Sequence, residues 1–486
     1  MSKAKQNSVI PAAIGSKTLF LSVAFSTLAL SLSIQFNECR AQTKAPTTTT
    51  KAPQAHTSNP SAPTAKTPTE TVSPQTAPNA GANNYQKGHA EQSIKVSGTP
   101  SKDDLLKGTA STHSKYKEGW KMFLQNPCHT GSATASPTAM PVGKMKWTFP
   151  AEGPIDSSPA IYKGVVYVGS DDHFLYAVDE RNGRFLWKAE LGSKVKSSPA
   201  VGEDIVVVGC EDGKIYGVNP LDGKVAWSYA TSDRVSSSPC ISDGVAFIGG
   251  WDGFVYALNT HTGKPVWTFP ANHVQATEEE KKIADADHGA KLPGGIGRIT
   301  ASPALTSNVI IIASHLGDVY CLSTHDGSMI WKFKTAGKVL GSPMIMNGLV
   351  YFGSWDKTLY ALDLQTGAAR WKFKGQESFS ITPSGANGRI FAGNDDHLMY
   401  CLDAHSGKML WKTPIQSPVP LLSSSPAVTG NMLYCGSPDA HVYAIDVRNG
   451  GIKWKYKTQR PIISSPAIST SGVCIGSQDG NLYLID

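Results

Sequence analysis

Candidate catalytic and metal-binding residues are few in this chain of 486 residues. Asp285 and Asp287 resemble the beginning of a calcium loop, but the third oxygen ligand and the terminal glutamate of such a loop are absent. Cys128-His129 would attach haem only if position 125 were also a cysteine, and the chain has Gln125 there. Neither two adjacent cysteines nor a zinc-ligand spacing occurs. The sequence therefore predicts no catalytic residue and no metal or cofactor site.

Cysteine is the other reactive residue type, with eight copies in the chain. Five of them fall within predicted strands or at strand ends, where a small buried side chain fits: Cys210, Cys321, Cys401, Cys435 and Cys474. An exported chain could form disulfides, but no spacing identifies a pair. We expect isolated thiols in the core.

Basic and aromatic residues recur at positions where they could form one binding face. Four basic residues each stand five positions before a proline that follows Ser, and two tryptophans lie in predicted turns at the same end of their units. A cationic arc beside exposed aromatic rings would suit an anionic ligand or an acidic peptide. The alternatives are solvated rim charge and tryptophans packed onto a neighbouring loop. The predicted binding-face residues are Trp251, Trp355, Lys194, Arg234, Arg298 and Lys338.

The elements that would position these residues follow from an internal repeat. A tryptophan recurs with spacings of 40, 40, 40, 64, 40, 40 and 43 residues, at Trp147, Trp187, Trp227, Trp267, Trp331, Trp371, Trp411 and Trp454. A Ser/Thr-Pro pair and a tyrosine follow the same period. Seven units also carry an aspartate four residues before the tyrosine, which we interpret as a turn former.

Each unit contains four strand signals separated by turns. In the first unit these are Ser157–Ile161, Val165–Gly169, Phe174–Val178 and the segment that carries Trp187. Four short antiparallel strands repeated eight times predict an all-β, eight-bladed β-propeller of four-stranded antiparallel blades. The last unit ends at Asp486 without a tryptophan, whereas Trp147 precedes the first complete unit. The N-terminal strand should therefore complete the last blade and close the ring.

The repeat resembles the pyrroloquinoline-quinone-type propeller family over residues 120–486. The motifs are Ser-Ser-Pro-Ala, Val-Tyr-Val-Gly-Ser-x-Asp and Leu-Tyr-Ala-x-Asp-x-x-x-Gly-x-x-x-x-Trp, preceded by Trp120-Lys121-Met122-Phe123. The resemblance implies either a non-catalytic scaffold, similar in style to the propeller of outer-membrane barrel assembly, or a quinoprotein dehydrogenase. The second alternative would oxidise alcohols or sugars with pyrroloquinoline quinone and calcium. The units follow one another with almost no room for inserted residues, and this favours the scaffold.

The N-terminal quarter has the composition of an export signal and a tether. Lys3, Lys5 and Lys17 precede an apolar stretch, and small residues allow cleavage after Ala41. An uncleaved signal anchor is the alternative, because the stretch approaches membrane-spanning length. Residues 42–117 are rich in Thr, Pro and Ala and predict a disordered tether. We assign residues 1–41 to a signal peptide or anchor and 118–486 to the propeller, with an inter-blade insertion at 270–300.

Charge and composition exclude further classes of partner and of fold. The net charge is +7, and no run of five Lys or Arg occurs, which argues against a nucleic acid partner. With 46 Gly, 31 Pro and 11 Trp, the composition excludes a coiled coil and a collagen-like rod. We predict an exported scaffold in the periplasm or cell envelope. Its partners would be envelope proteins or peptides at the face of the 270–300 insertion, with membrane contact only through an uncleaved N-terminus.

Overall fold

The protein is an eight-bladed β-propeller, seen in a computed structural model that describes residues 120–126, 128–133, 140–270, 295–419 and 423–486. These residues form 32 strands in eight four-stranded antiparallel sheets, as the repeat predicts, and contain no helix. Nothing in this described part is a helix that could cross a membrane. The predicted signal, the tether and most of the 270–300 insertion lie outside the described residues.

The strands follow the four-strand period of the sequence. The first half contains β1 (Met145–Pro150), β2 (Ala160–Tyr162), β3 (Val165–Gly169), β4 (Phe174–Asp179), β5 (Phe185–Glu190), β6 (Ala200–Val201), β7 (Val206–Gly209), β8 (Lys214–Val218), β9 (Val225–Ala230), β10 (Cys240–Ser242), β11 (Val245–Gly249), β12 (Val255–Asn259), β13 (Pro265–Phe269), β14 (Ala304–Leu305), β15 (Val309–Ala313) and β16 (Asp318–Ser323). The second half contains β17 (Met329–Lys334), β18 (Met344–Met346), β19 (Leu349–Gly353), β20 (Thr358–Asp363), β21 (Ala369–Lys374), β22 (Ser384–Ala386), β23 (Arg389–Asn394), β24 (Leu398–Asp403), β25 (Met409–Pro414), β26 (Ala427–Thr429), β27 (Met432–Gly436), β28 (His441–Asp446), β29 (Ile452–Lys457), β30 (Ala467–Ser469), β31 (Gly472–Gly476) and β32 (Asn481–Ile485).

Burial falls from the first strand of each blade to the fourth, and we name the four strands A to D in that order. Blade one is β2–β5, and each later blade takes the next four strands up to blade eight, which is β30–β32 with β1. A strands such as β2 are fully buried and contact the A strands of neighbouring blades around the central axis. D strands such as β21 alternate exposed and half-buried residues. The apolar core therefore lies between blades, and the D strands form the outer wall.

Closure of the ring occurs as predicted. β1 pairs antiparallel with β32, and Trp147 lies opposite Leu484 in that register. The first described strand thus becomes strand D of blade eight, and both potential sheet edges between the chain ends are paired.

Each repeat tryptophan joins its blade to the next one. The Trp147 indole donates a hydrogen bond from Nε1 to the carbonyl of Glu180, at 2.9 Å. The same indole lies on Gly183, whose φ of +70° and contact with the ring leave no room for a side chain. All eight tryptophans make this bond at 2.7–3.0 Å, which accounts for their strict spacing.

The residues before the repeated prolines form a closed ring of hydrogen bonds around the axis. Ser158 donates its backbone N–H to the hydroxyl of Ser198 in the next blade, at 3.0 Å. The pattern continues through all eight blades at 2.8–3.2 Å and returns from Ser465 to Ser158. The Ser/Thr-Pro pair is thus a structural signature of blade-to-blade contact.

The repeated aspartate stabilises its turn, as its spacing predicts, and it also accepts a hydrogen bond from the repeat tyrosine. Asp172 accepts the turn N–H of Phe174 at 3.0 Å and the hydroxyl of Tyr176 at 2.7 Å. The other six Asp–Tyr pairs repeat this arrangement, so the tyrosine hydroxyl is satisfied at the end of its strand. These aspartates are structural.

An axial segment, residues 120–126 and 128–133, runs around the inner strands ahead of β1. Backbone carbonyls of this segment accept N–H groups from the A strands of blades one, two, five, six and seven. Met122 and Cys128 contact the A strands of blades three and four. Trp120, Met122 and Leu124 are each only 1% exposed. Because these contacts fall towards the A–B turns, the segment lies at the end of the channel opposite the predicted binding face.

Candidate binding face at the channel mouth

The mouth face carries the D–A connections and the B–C turns, and backbone hydrogen bonds hold the two together. In seven of the eight blades, all except blade seven, where this position lies outside the described residues, the carbonyl five positions before the repeated proline accepts the N–H of a B–C turn residue. Arg234 pairs in this way with Trp251 at 2.9 Å, and Lys338 pairs with Trp355 at 2.8 Å. The repeat therefore places the D–A connections that carry the basic arc next to the B–C turns, two of which carry Trp251 and Trp355.

Two guanidinium groups lie close to the Trp251 ring. The Cζ atom of Arg298 is 4.1 Å from the Trp251 ring centroid, and that of Arg234 is 5.3 Å away. The indole Nε1 donates to the Ser236 hydroxyl at 2.6 Å, which fixes the orientation of the ring. Arg298 is only 4% exposed, whereas Arg234 is exposed and Trp251 is half-buried. The accessible part of this cationic and aromatic group is therefore Arg234 with part of the Trp251 ring. Arg298 was predicted as an exposed charge of the arc, but it is buried against the ring.

Trp355 forms a similar but looser group in blade five. The ammonium of Lys338 is 5.7 Å from its ring centroid, and Nε1 donates to Ser380 at 3.1 Å. Ser380 in turn donates to the Asp395 carboxylate at 2.6 Å. His315 Nε2 lies 2.8 Å from the hydroxyl oxygen of Thr300. His315 is in the B–C turn of blade four, between the turns that carry the two tryptophans. Both tryptophans therefore combine neighbour packing with partial exposure.

Lys194 lies in a different electrostatic environment from the other arc residues. Its ammonium is 2.9 Å from the Asp171 carboxylate, and this hydrogen bond raises the pKa of Lys194. Next to it, Lys196 is 3.8 Å from Glu211 and 3.9 Å from Asp156. Burial, followed by the charge of Asp171, raises the pKa of Asp156. Opposite charges thus balance around Lys194 and Lys196 in blades one and two.

Three carboxylates at the mouth of blades one and two do not fit a calcium ion. Asp156, Asp171 and Glu211 are each within 4 Å of a lysine ammonium. A calcium ion would have to compete with those ammonium groups for oxygen ligands. Across the described ranges, no three His, Cys, Asp or Glu side chains converge closely enough to hold a metal.

The structure brings together most of the predicted site, and it adds residues that the sequence did not indicate. Trp251, Arg234 and Arg298 form one group, and Trp355 with Lys338 forms a second. Sequence reasoning missed the Lys194–Asp171 pair, although the B–C turn of blade one and the D–A connection before blade two lie on the same predicted face. It also missed the path of the axial segment, which has no periodic signal. The described cysteines are buried, as expected, and no two of them form a disulfide.

Comparison with known proteins agrees with this architecture. The sequence model of the family described as outer membrane protein assembly factor BamB matches residues 132–268, 171–306, 251–380 and 376–486. Curated protein sequences yield no match. The solved structure of BamB from Moraxella catarrhalis is 16% identical, with a TM-score of 0.59 and coverage of 71% of this chain and 100% of that one.

Quinoprotein enzymes share the fold as well. Quinohemoprotein alcohol dehydrogenase from Comamonas testosteroni is 13% identical, with a TM-score of 0.64 over 78% of this chain and 84% of that one. A europium-containing methanol dehydrogenase is 14% identical, with a TM-score of 0.64 and coverage of 78% of this chain and 92% of that one. At such identities the structural likeness establishes the fold alone. The family matches together span residues 132–486, and the chain belongs to the PQQ-type β-propeller family of outer membrane protein assembly factor BamB.

Proposed function

We propose that this protein is a non-catalytic binding module that captures protein partners of the cell envelope at the mouth face. The observation that carries the proposal is the Trp251 group, a half-buried indole whose ring centroid is 4.1 Å from the Arg298 Cζ atom and 5.3 Å from that of Arg234. Tryptophan and arginine are the residue types that dominate the energetics of protein interfaces. The family description, which names an assembly factor, supports the same class of function.

Export to the envelope and the absence of a resident cofactor are part of the same proposal. The lysine-flanked apolar stretch before Ala41 supports export. The pairing of the mouth carboxylates with lysines supports a site that works without calcium or quinone. Lys338 and Trp355 would extend the contact surface into blade five.

Capture of partners from an envelope extract of the source cells tests the proposal. Replacing Trp251 and Trp355 by alanine should reduce capture at least tenfold, because truncation of an interface anchor costs about 2 kcal/mol or more. Reversing Arg234 and Lys338 should reduce capture most at low salt, where screening is weakest. Arg298 is left unchanged because it is buried, and Lys194 because it is paired with Asp171. The melting temperature of each variant shows whether the propeller still folds.

The matched control lies on the opposite face. Lys224 and Lys264 are exposed C–D turn residues of blades two and three. Their reversal to glutamate should leave capture within twofold. Loss of capture in this control, with normal capture by the tryptophan variants, would place binding on the opposite face and overturn the proposal.

A quinoprotein dehydrogenase is the competing function, and it has its own test. Purified protein is incubated with pyrroloquinoline quinone and calcium, followed by absorbance and dye-linked oxidation of alcohols and sugars. We expect no bound quinone spectrum and no turnover. Stoichiometric quinone binding with turnover would replace the scaffold assignment.

A further inference from the structure

The outer wall carries a strong charge asymmetry that the mouth face does not use. The D strands of blades five to seven, β21, β25 and β29, contain basic residues and no acidic residue. By contrast, β9 and β13 in blades two and three contain no charged residue at all. Strands β17 and β1, in blades four and eight, are also basic, but their lysines lie within 4.0 Å of Asp318 and Asp486. The unbalanced positive charge of the wall therefore lies on blades five to seven, and the wall is neutral in blades two and three.

Five lysines of these strands form what we call the basic wall: Lys372, Lys374, Lys412, Lys455 and Lys457. All five are exposed. None of them lies within 4.0 Å of a carboxylate in the described residues, whereas Arg370 and Lys453, on the same strands, are paired with Asp363 and Asp446. The basic wall thus keeps its positive charge available to a ligand.

Cross-strand packing orients part of the basic wall. The Lys372 ammonium lies 5.4 Å from the ring centroid of Tyr360, and that of Lys455 lies 4.5 Å from that of Tyr443. Lys412 is directly opposite Tyr400 in the same register. Each tyrosine is anchored by its aspartate, so the lysine stems rest on fixed rings. Preorganised cations lose less entropy when they bind an anion.

We propose that the basic wall binds a flexible anionic polysaccharide, a linear chain with regularly spaced carboxylate or phosphate groups. Eight blades around one axis turn the wall by about 45° per blade. Three blades therefore present a convex surface that a flexible chain can follow and a flat bilayer can touch only in part. The exposed large apolar residues beside the lysines are Met409 and Leu410 in blade six and Ile452 in blade seven, and none lies on β21 of blade five.

The same wall is less suited to single-stranded nucleic acid. Sites for such strands combine a basic groove with aromatic rings on which bases stack. Here lysines cover the Tyr360 and Tyr443 rings, and the D-strand tryptophans dock onto the neighbouring blade. Charge without free aromatic rings favours a saccharide polyanion, whose carboxylates or phosphates can pair with the lysines without base stacking.

Fluorescence anisotropy with labelled oligogalacturonate, a linear carboxylated saccharide, tests the proposal on the full chain. Replacing Lys372, Lys412 and Lys455 by glutamate should weaken binding at least tenfold in low salt. The wild-type affinity should fall steadily as salt increases, since the interaction is between exposed charges. A neutral dextran of similar length should not bind.

The matched control reverses Lys188, Lys224 and Lys264, three exposed lysines on blades one to three. This variant should bind oligogalacturonate within twofold of wild type. Equal loss in both variants would mean that net charge, rather than the basic wall, governs binding, and would overturn the proposal. Preferential binding to phosphatidylglycerol vesicles or to an oligothymidylate would likewise overturn it. Because the variants leave the mouth intact, partner capture should be unchanged.

Discussion

At the residue scale, His129 is the buried group whose protonation should limit stability in acid. Its ring is 1% exposed, its Nδ1 is 3.0 Å from the Pro343 carbonyl, and burial lowers its pKa to about 4. In the unfolded chain the pKa is near 6.5, so the unfolded state binds more protons between pH 6.5 and 4. The free energy of unfolding should therefore fall as the pH decreases through this window.

Urea denaturation of wild type and His129→Gln at several pH values measures this loss. We expect the wild type to lose about 3 kcal/mol, relative to the variant, between pH 7 and pH 4. Comparison with the variant removes the contributions of other groups, such as Asp156. Parallel pH profiles for the two proteins would show that His129 does not remain neutral in the folded state.

Gly367 tests the tryptophan docking at a single atom. A Cβ at this position would lie 2.7 Å from the Trp331 ring, and the φ of +68° adds backbone strain. Gly388 has a similar φ of +72° but open space around its Cβ position, so it is a matched control. Gly367→Ala should cost about 1–3 kcal/mol more than Gly388→Ala in thermal or urea unfolding. Equal costs would mean that the ring contact is not tight.

At the element scale, β1 is the strand on which closure depends. Deleting residues 140–150 removes Trp147 from its site on blade one and removes the Pro141 carbonyl that accepts the Trp454 indole. Loss of a buried tryptophan alone costs about 3–5 kcal/mol, so the melting temperature should fall sharply. Deletion of residues 43–84, in the predicted tether, should leave it unchanged. A truncated protein without β1 that melts like the wild type would contradict the closure.

The elements were more predictable from the sequence than their contacts. Each blade buries the same Trp, Tyr and Ser/Thr-Pro residues, so one physical requirement is repeated eight times and shows as a period. The axial segment makes a different contact with each blade, for example Lys121 with Val201 and Thr130 with Gly385, and leaves no period. At the mouth, the repeat predicted which residues share a face, but side-chain pairing such as Lys194 with Asp171 depends on rotamers.

At the scale of the whole molecule, the propeller separates its contacts into three regions. The axial segment fills the A–B end of the channel, and the mouth presents the Trp251 and Trp355 groups at the other end. The basic wall lies on the outside of blades five to seven. Variants in one region should therefore leave binding at the others unchanged, because the sites share no residues.

The central claim is that partners dock on the mouth face, and site-specific photo-crosslinking in the source cells tests it most directly. A photoreactive phenylalanine replaces Trp355 in one variant and Lys224, on the opposite face of blade two, in another. We predict a discrete crosslinked protein product from position 355 and none from position 224. A product from position 224 alone would contradict a mouth-face scaffold.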